Sequence, residues 1–153
     1  MKIVDILPEA LVIPALAGQT KEALLRELAE VMSGQYPDID AGRLLEVLWE
    51  RERLGSTAIG DGIAIPHGKL PGLKAVRAAF GRHLQGVDFQ SLDGNPTRLF
   101  FLLVAPEDSV GAHLKALARV SRLLKDDGFR AQLLTAPDRA DLYRRIREED
   151  EKY

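Results

Sequence analysis

The chain has 153 residues, 46% apolar and 29% charged, with 21 Lys and Arg against 23 Asp and Glu for a net charge of -2. One domain of that length buries roughly 70% of the surface its unfolded form exposes, so a core forms without staples. The absence of Cys excludes disulfides, thiolate catalysis, Cys-ligated zinc and iron–sulfur clusters, and the charge balance excludes a nucleic-acid binder that relies on a large basic excess.

Residues 1–8 hold one Lys and Asp5 with no long apolar run, so no signal peptide is expected. The longest strongly apolar run, residues 99–105, is far short of the ~20 residues that span a bilayer. A cytoplasmic chain folded as one domain over residues 1–153 is the expectation. Along it, the spacing of Leu24, Leu25, Leu28, Val31 and Met32 predicts a helix over residues 20–33, with Thr20 as N-cap and Glu22 at the positive end of the dipole. Leu44, Leu45, Val47, Leu48 and Trp49 repeat the pattern over residues 40–53. Asp40 caps that helix, Arg51 and Arg53 suit its end, and Gly55 stops it.

Residues 55–72 change character, with five Gly and two Pro. Within them Ile63, Ala64 and Ile65 read as a short buried strand. Residues 76–84 and 97–105 are further strands, the second buried on both faces, and residues 93–96 (Asp-Gly-Asn-Pro) form a turn. Leu114, Leu117, Ala118, Ser121 and Leu124 predict the inner face of a helix over residues 110–124. A short helix follows over residues 129–134. Asp138 caps a last one carrying Leu142 and Ile146, and the charged residues 147–153 are expected to fray. The sum is an α/β domain, a mixed sheet flanked by helices.

Familiar chemical motifs fail. Gly68-Lys69 is followed by Leu70, which breaks the phosphate-loop pattern, and Ile65 stands where a dinucleotide fingerprint needs its third Gly. There is no Gly-x-Ser-x-Gly and no His-Glu-x-x-His. The three His remain. His67 follows Pro66, which fixes its own φ and extends Ile65, and precedes Gly68. That sequence presents an imidazole at a strand end, either as a nucleophile reached by another macromolecule or as a plain surface-loop residue. His113, at the start of a helix, is either a second imidazole beside His67 or a surface residue; His83 reads as structural. Arg51 is either an anion grip or part of a solvated helix end. Ser56 and Thr57 either bind phosphate or satisfy a turn. No spacing suggests a metal site at His67 and His113.

Taken together, residues 51–69 (RERLGSTAIGDGIAIPHGK), with Ala105-Pro106, His113-Leu114 and Leu117, resemble the signature of the fructose/mannitol class of phosphotransferase-system enzyme IIA domains. Within that class the chain is most similar to the stand-alone nitrogen-regulatory branch (PtsN, enzyme IIA-Ntr). The resemblance implies that His67 is phosphorylated by an HPr-type phosphocarrier, that His113 is the second active-site histidine, and that Arg51 lies near the phosphate, with no cofactor. Ser56 and Thr57 match its small polar pair. It also implies a IIB component or regulatory targets as partners, without nucleic acid or membrane insertion. A sugar-specific IIA that passes phosphate to a IIB component, or a purely partner-binding regulator, are the alternatives. Ile59, Leu70 and Leu73 are the expected apolar rim for docking.

Overall fold

The computed structural model describes residues 1–153. After two short 3-10 turns the order is β1 (Val12–Ile13), α1 (Lys21–Gln35), α2 (Ala41–Arg53), β2 (Ala58–Gly60), β3 (Ile63–Ala64), β4 (His67–Leu70), β5 (Arg77–Val87), β6 (Thr97–Pro106), α3 (Val110–Leu124), α4 (Asp127–Thr135) and α5 (Arg139–Asp150). The sheet is mixed and runs β1-β5-β6-β3-β2, with β4 also paired to β6. Strands β5 and β6 are the antiparallel centre. Their Phe80, Phe100, Phe101 and Leu102 are buried in one continuous apolar core. This is the mixed sheet with flanking helices that the sequence predicts.

The caps form as expected. Thr20, Asp40 and Asp138 side chains accept the backbone N–H of Ala23, Arg43 and Asp141, each meeting a donor the helix itself leaves open. Two expectations fail. The inner face of α3 consists of His113, Ala116, Val120, Leu123 and Leu124, whereas Leu114 is 58% exposed. The buried row follows the helical spacing from His113 through Ala116 and Val120 to Leu123 and Leu124, and Leu114, one residue further round the helix, turns to solvent. Residues 147–153 do not simply fray. Helix α5 runs to Asp150, whose buried carboxylate accepts from Val4 N–H (3.2 Å) and Arg119 Nε (2.7 Å). Lys2 Nζ donates to the carbonyls of Asp150 (3.1 Å) and Tyr153 (2.9 Å). These long-range partners could not be seen in a local run of charge.

The Gly-rich segment is built around one interrupted strand. Strands β3 and β4 both run parallel to β6 in a single unbroken register, from Ile63 opposite Leu99 to Leu70 opposite Pro106. The break is Ile65-Pro66. Pro66 has no N–H, yet its carbonyl still accepts from Leu103 N–H at 3.0 Å, so the line is held across the gap. Ile65 directs its backbone to the other side, where its N–H donates to the Thr57 carbonyl at 3.1 Å. Strand β2 then departs, and β4 is left as an edge.

Gly68 decides how α2 meets that edge. A Cβ there would lie 2.4 Å from Val47 Cγ1, so only Gly lets α2 lie flat on β4. Gly68→Ala therefore overpacks the contact and is expected to destabilise the fold by about 1–3 kcal/mol, measured as a lower urea midpoint. Adding Val47→Ala should restore most of the loss. An unchanged midpoint for Gly68→Ala alone would contradict this account of the packing.

Candidate active site

Successive strand residues point to opposite faces. Gly68 faces α2, so His67 faces the other side, towards α3. There its ring meets His113, with centroids 5.4 Å apart and planes tilted by 49°. Because β4 is an edge, Arg51 in the last turn of α2 reaches round it. Its Nε donates to His67 Nε2 at 3.3 Å, while its Nη1 donates to the Gly55 carbonyl at 2.9 Å. Residues 16 and 46 positions from His67 in the chain thus converge on one imidazole.

The ring's other nitrogen is fixed by its own strand. His67 Nδ1 lies 2.8 Å from the Ile65 carbonyl oxygen. A carbonyl only accepts, so the proton belongs on Nδ1 and the lone pair on Nε2. The nitrogen beside Arg51 is therefore the unprotonated one. His113 is buried, and its Nδ1 has no hydrogen-bond partner. It stands in the first turn of α3, and its backbone N–H is used by the Ser109 carbonyl.

The rings open onto a cleft of about 450 Å³ lined by Val47, Leu54, Lys69, Leu114 and Leu117 as well as Arg51, His67 and His113. The apolar rim differs from the expected one. Leu70 and Leu73 are buried in the core; of the expected residues only Ile59 is exposed. Leu54, 85% exposed, and Leu114 take the place of the other two. Leu70 lies in the same strand as His67 but at odd spacing, so it turns to the opposite face. The same alternation puts Lys69 on the His67 face, a placement legible from a strand over residues 67–70. Leu54 and Leu114 carried no such signal.

Ser56 and Thr57 line the adjoining wall, but their hydroxyl protons are directed elsewhere. Ser56 Oγ donates to the Phe89 carbonyl at 2.7 Å and accepts from Ala58 N–H. Thr57 Oγ1 donates to the buried carboxylate of Glu52. His83 is buried away from the cleft, its Nδ1 accepting from Gly86 N–H at 2.9 Å. No group of three or more His, Asp or Glu side chains is arranged to hold a metal ion, and no helix is long and apolar enough to cross a membrane.

Electrostatics favour two neutral rings. Burial lowers the His67 pKa below its ordinary 6.5; the Ile65 bond opposes this and the Arg51 charge adds to it. Burial, then His67 and Lys69, lower His113 in the same way. Between the lowered folded values and 6.5 the unfolded chain binds more protons, so the stability these rings contribute is complete above about pH 6.5 and falls as pH drops through the folded pKa values. In a carbon-detected NMR titration both midpoints should fall below 6.5. A midpoint for His67 at or above 6.5 would contradict the burial argument.

Known proteins share this sequence and fold. A family model described as phosphoenolpyruvate-dependent sugar phosphotransferase system, EIIA 2, matches residues 5–149. A nitrogen regulatory protein of Bradyrhizobium diazoefficiens is 42% identical over 143 residues, 94% of this chain and 93% of that protein. The fructose-specific EIIABC component of Bacillus subtilis is 39% identical over 138 residues, 89% of this chain but 21% of that much longer protein. Among solved structures, nitrogen regulatory protein IIA-Ntr from Neisseria meningitidis superposes with a TM-score of 0.88 at 30% identity, covering 94% of this chain and 98% of the other.

Proposed function

The chain belongs to the EIIA 2 family of the phosphoenolpyruvate-dependent sugar phosphotransferase system, and from that premise we propose that it carries a phosphoryl group on His67 Nε2, received from an HPr-type phosphocarrier. The observation that supports this most is the 2.8 Å contact of His67 Nδ1 with the Ile65 carbonyl oxygen, which sets the tautomer. With Nδ1 committed to the Ile65 carbonyl, the Nε2 lone pair faces the cleft beside a guanidinium.

The step is a direct transfer between imidazoles. The Nε2 lone pair, released from the Arg51 N–H that it accepts in the resting site, forms the new N–P bond as the donor's N–P bond breaks, and the electron pair leaves with the donor imidazole. The Nδ1 proton stays on the His67 ring against the Ile65 carbonyl. Because His67 is neutral near pH 7, it needs no general base. Such a transfer spreads charge over three equatorial oxygens, so catalysis rests on in-line positioning and on donors. Arg51 is within reach of a group on Nε2, and its planar fork matches two of those oxygens. His113 supplies a second donor from the α3 side.

The nitrogen-regulatory role is the preferred reading of the output, because the relative at 42% identity and the solved structure with a TM-score of 0.88, both matched over nearly their whole length, carry that name. The similarity to a fructose-specific component supports a second reading, in which His67 hands its phosphate to a IIB component. In either case the modification adds up to about two negative charges beside the exposed Leu54 and Leu114. A partner that covers this rim closely, without cations of its own, would then distinguish the two states.

Intact-protein mass spectrometry tests the carrier. With phosphoenolpyruvate, enzyme I and an HPr-type donor, the wild-type chain should gain one phosphoryl mass and His67→Ala none; a phosphorylated His67→Ala protein would overturn the assignment. Arg51→Lys should accept phosphate at least about tenfold more slowly, since an ammonium cannot copy the fork. Adding IIB components then separates the readings, because only a sugar-specific chain discharges rapidly onto one of them.

A further inference from the structure

Directly behind the site lies a buried charge cluster that the transfer step does not use. Glu52 follows Arg51 on α2, and its carboxylate is almost wholly enclosed. It pairs with Lys21 Nζ at 2.8 Å. It also accepts the Thr57 backbone N–H at 3.1 Å and the Thr57 hydroxyl. Lys21, the first residue of α1, is buried too. Its ammonium lies 4.7 Å from the Phe89 ring centroid and reaches the Phe89 carbonyl (3.4 Å) and Gln90 Oε1 (3.2 Å). The Phe89 carbonyl is the same one that Ser56 holds at 2.7 Å. Every strong donor and acceptor in the cluster is therefore matched.

The cluster leads to His67 by a short path of hydrogen bonds. Glu52 holds the Thr57 N–H. The Thr57 carbonyl accepts from Ile65 N–H at 3.1 Å. The Ile65 carbonyl then receives His67 Nδ1. A second path leads through α2 itself, since fixing Glu52 fixes the helix end from which Arg51 projects. A buried ion pair contributes little net stability compared with apolar residues of the same volume. What it does supply is a defined geometry, because each partner must meet the other at one place.

We infer that Glu52 is a positioning residue for phosphoryl acceptance: clamped between Lys21 and Thr57, it sets the carbonyl that orients the His67 ring and the helix end that carries Arg51. This deepens the carrier reading above and rests on it. It also gives Ser56 and Thr57 a task. They brace the loop behind the nucleophile, and their hydroxyls are held away from the phosphate. Glu52 has an electrostatic effect as well, since its negative charge draws the His67 pKa upward against burial.

Three variants test this. Glu52→Gln keeps the shape and removes the charge. Lys21→Met/Glu52→Gln removes both charges and leaves no unpaired ion. Thr57→Val removes only the hydroxyl donor. For each variant with a cooperative thermal transition, the long-range proton–nitrogen NMR spectrum of the unphosphorylated His67 ring is recorded across pH, and acceptance is timed. The charge variants should show His67 populating both neutral tautomers and titrating at lower pH, with acceptance slower by about tenfold. Thr57→Val should move the ring signals and rate in the same direction by less. A folded Lys21→Met/Glu52→Gln protein with wild-type ring signals and rate would overturn the inference; if neither charge variant folds, wild-type behaviour of Thr57→Val overturns it. Should the wild-type chain accept no phosphate, the carrier reading fails by itself, and the ring spectrum still decides whether Glu52 positions His67.

Discussion

The site depends on one backbone carbonyl. Ile65 sits where a parallel strand is interrupted: its neighbour Pro66 has no N–H, β2 has departed, and β4 has become an edge. An edge carbonyl needs a donor, and the imidazole two residues on supplies it at 2.8 Å. That bond sets the tautomer, the orientation of the ring and the nitrogen that faces the cleft. Unbroken pairing at Ile65 would have taken the carbonyl and left His67 free to rotate.

Around that bond, three elements deliver one group each. Strand β4 supplies His67, the end of α2 supplies Arg51, and the first turn of α3 supplies His113. Close approach makes this possible. Gly68 lets α2 lie on the edge strand, where a single methyl group would come within 2.4 Å of Val47, and α3 packs on β6 with His113 on its buried face. Packing also governs the chemistry. The burial that brings the rings within 5.4 Å of each other also penalises their charged forms, so two histidines share a site beside Arg51 and Lys69 as neutral groups. On the carrier reading, a neutral imidazole with a nearby cation suits attack on a phosphoryl group, because the anion is attracted while Nε2 stays unprotonated.

Much of this was legible in the sequence, for identifiable reasons. The caps Thr20, Asp40 and Asp138 are local signals, and each appears where its side chain can meet an N–H within three residues. The run at residues 99–105 is apolar at every position, as suits a strand covered on both faces. The meeting of Arg51, His67 and His113 followed from resemblance to a family, since nothing in their spacing brings them together. What was missed depends on partners distant in sequence or on which face an element turns inward. The acidic tail looked unanchored because Val4 and Arg119, which hold Asp150, are far away. Leu114 looked like core because it falls on one helical stripe with Leu117 and Leu124, whereas the inner row of α3 starts one residue earlier, at His113. Leu70 and Leu73 looked like rim because they flank His67 in sequence, yet Leu70 turns to the core by strand alternation. For Ser56 and Thr57 the sequence left phosphate binding and a turn equally open; their hydroxyls donate to the Phe89 carbonyl and the Glu52 carboxylate.

The central claim is that the Ile65 carbonyl decides where phosphate is carried. The most direct measurement is the long-range proton–nitrogen NMR spectrum of the phosphorylated, nitrogen-labelled chain, with coupling to phosphorus resolved. The account predicts a single phosphorylated nitrogen, Nε2 of His67, with Nδ1 still protonated. Phosphorus coupled to Nδ1 of His67, or to either nitrogen of His113, would contradict it.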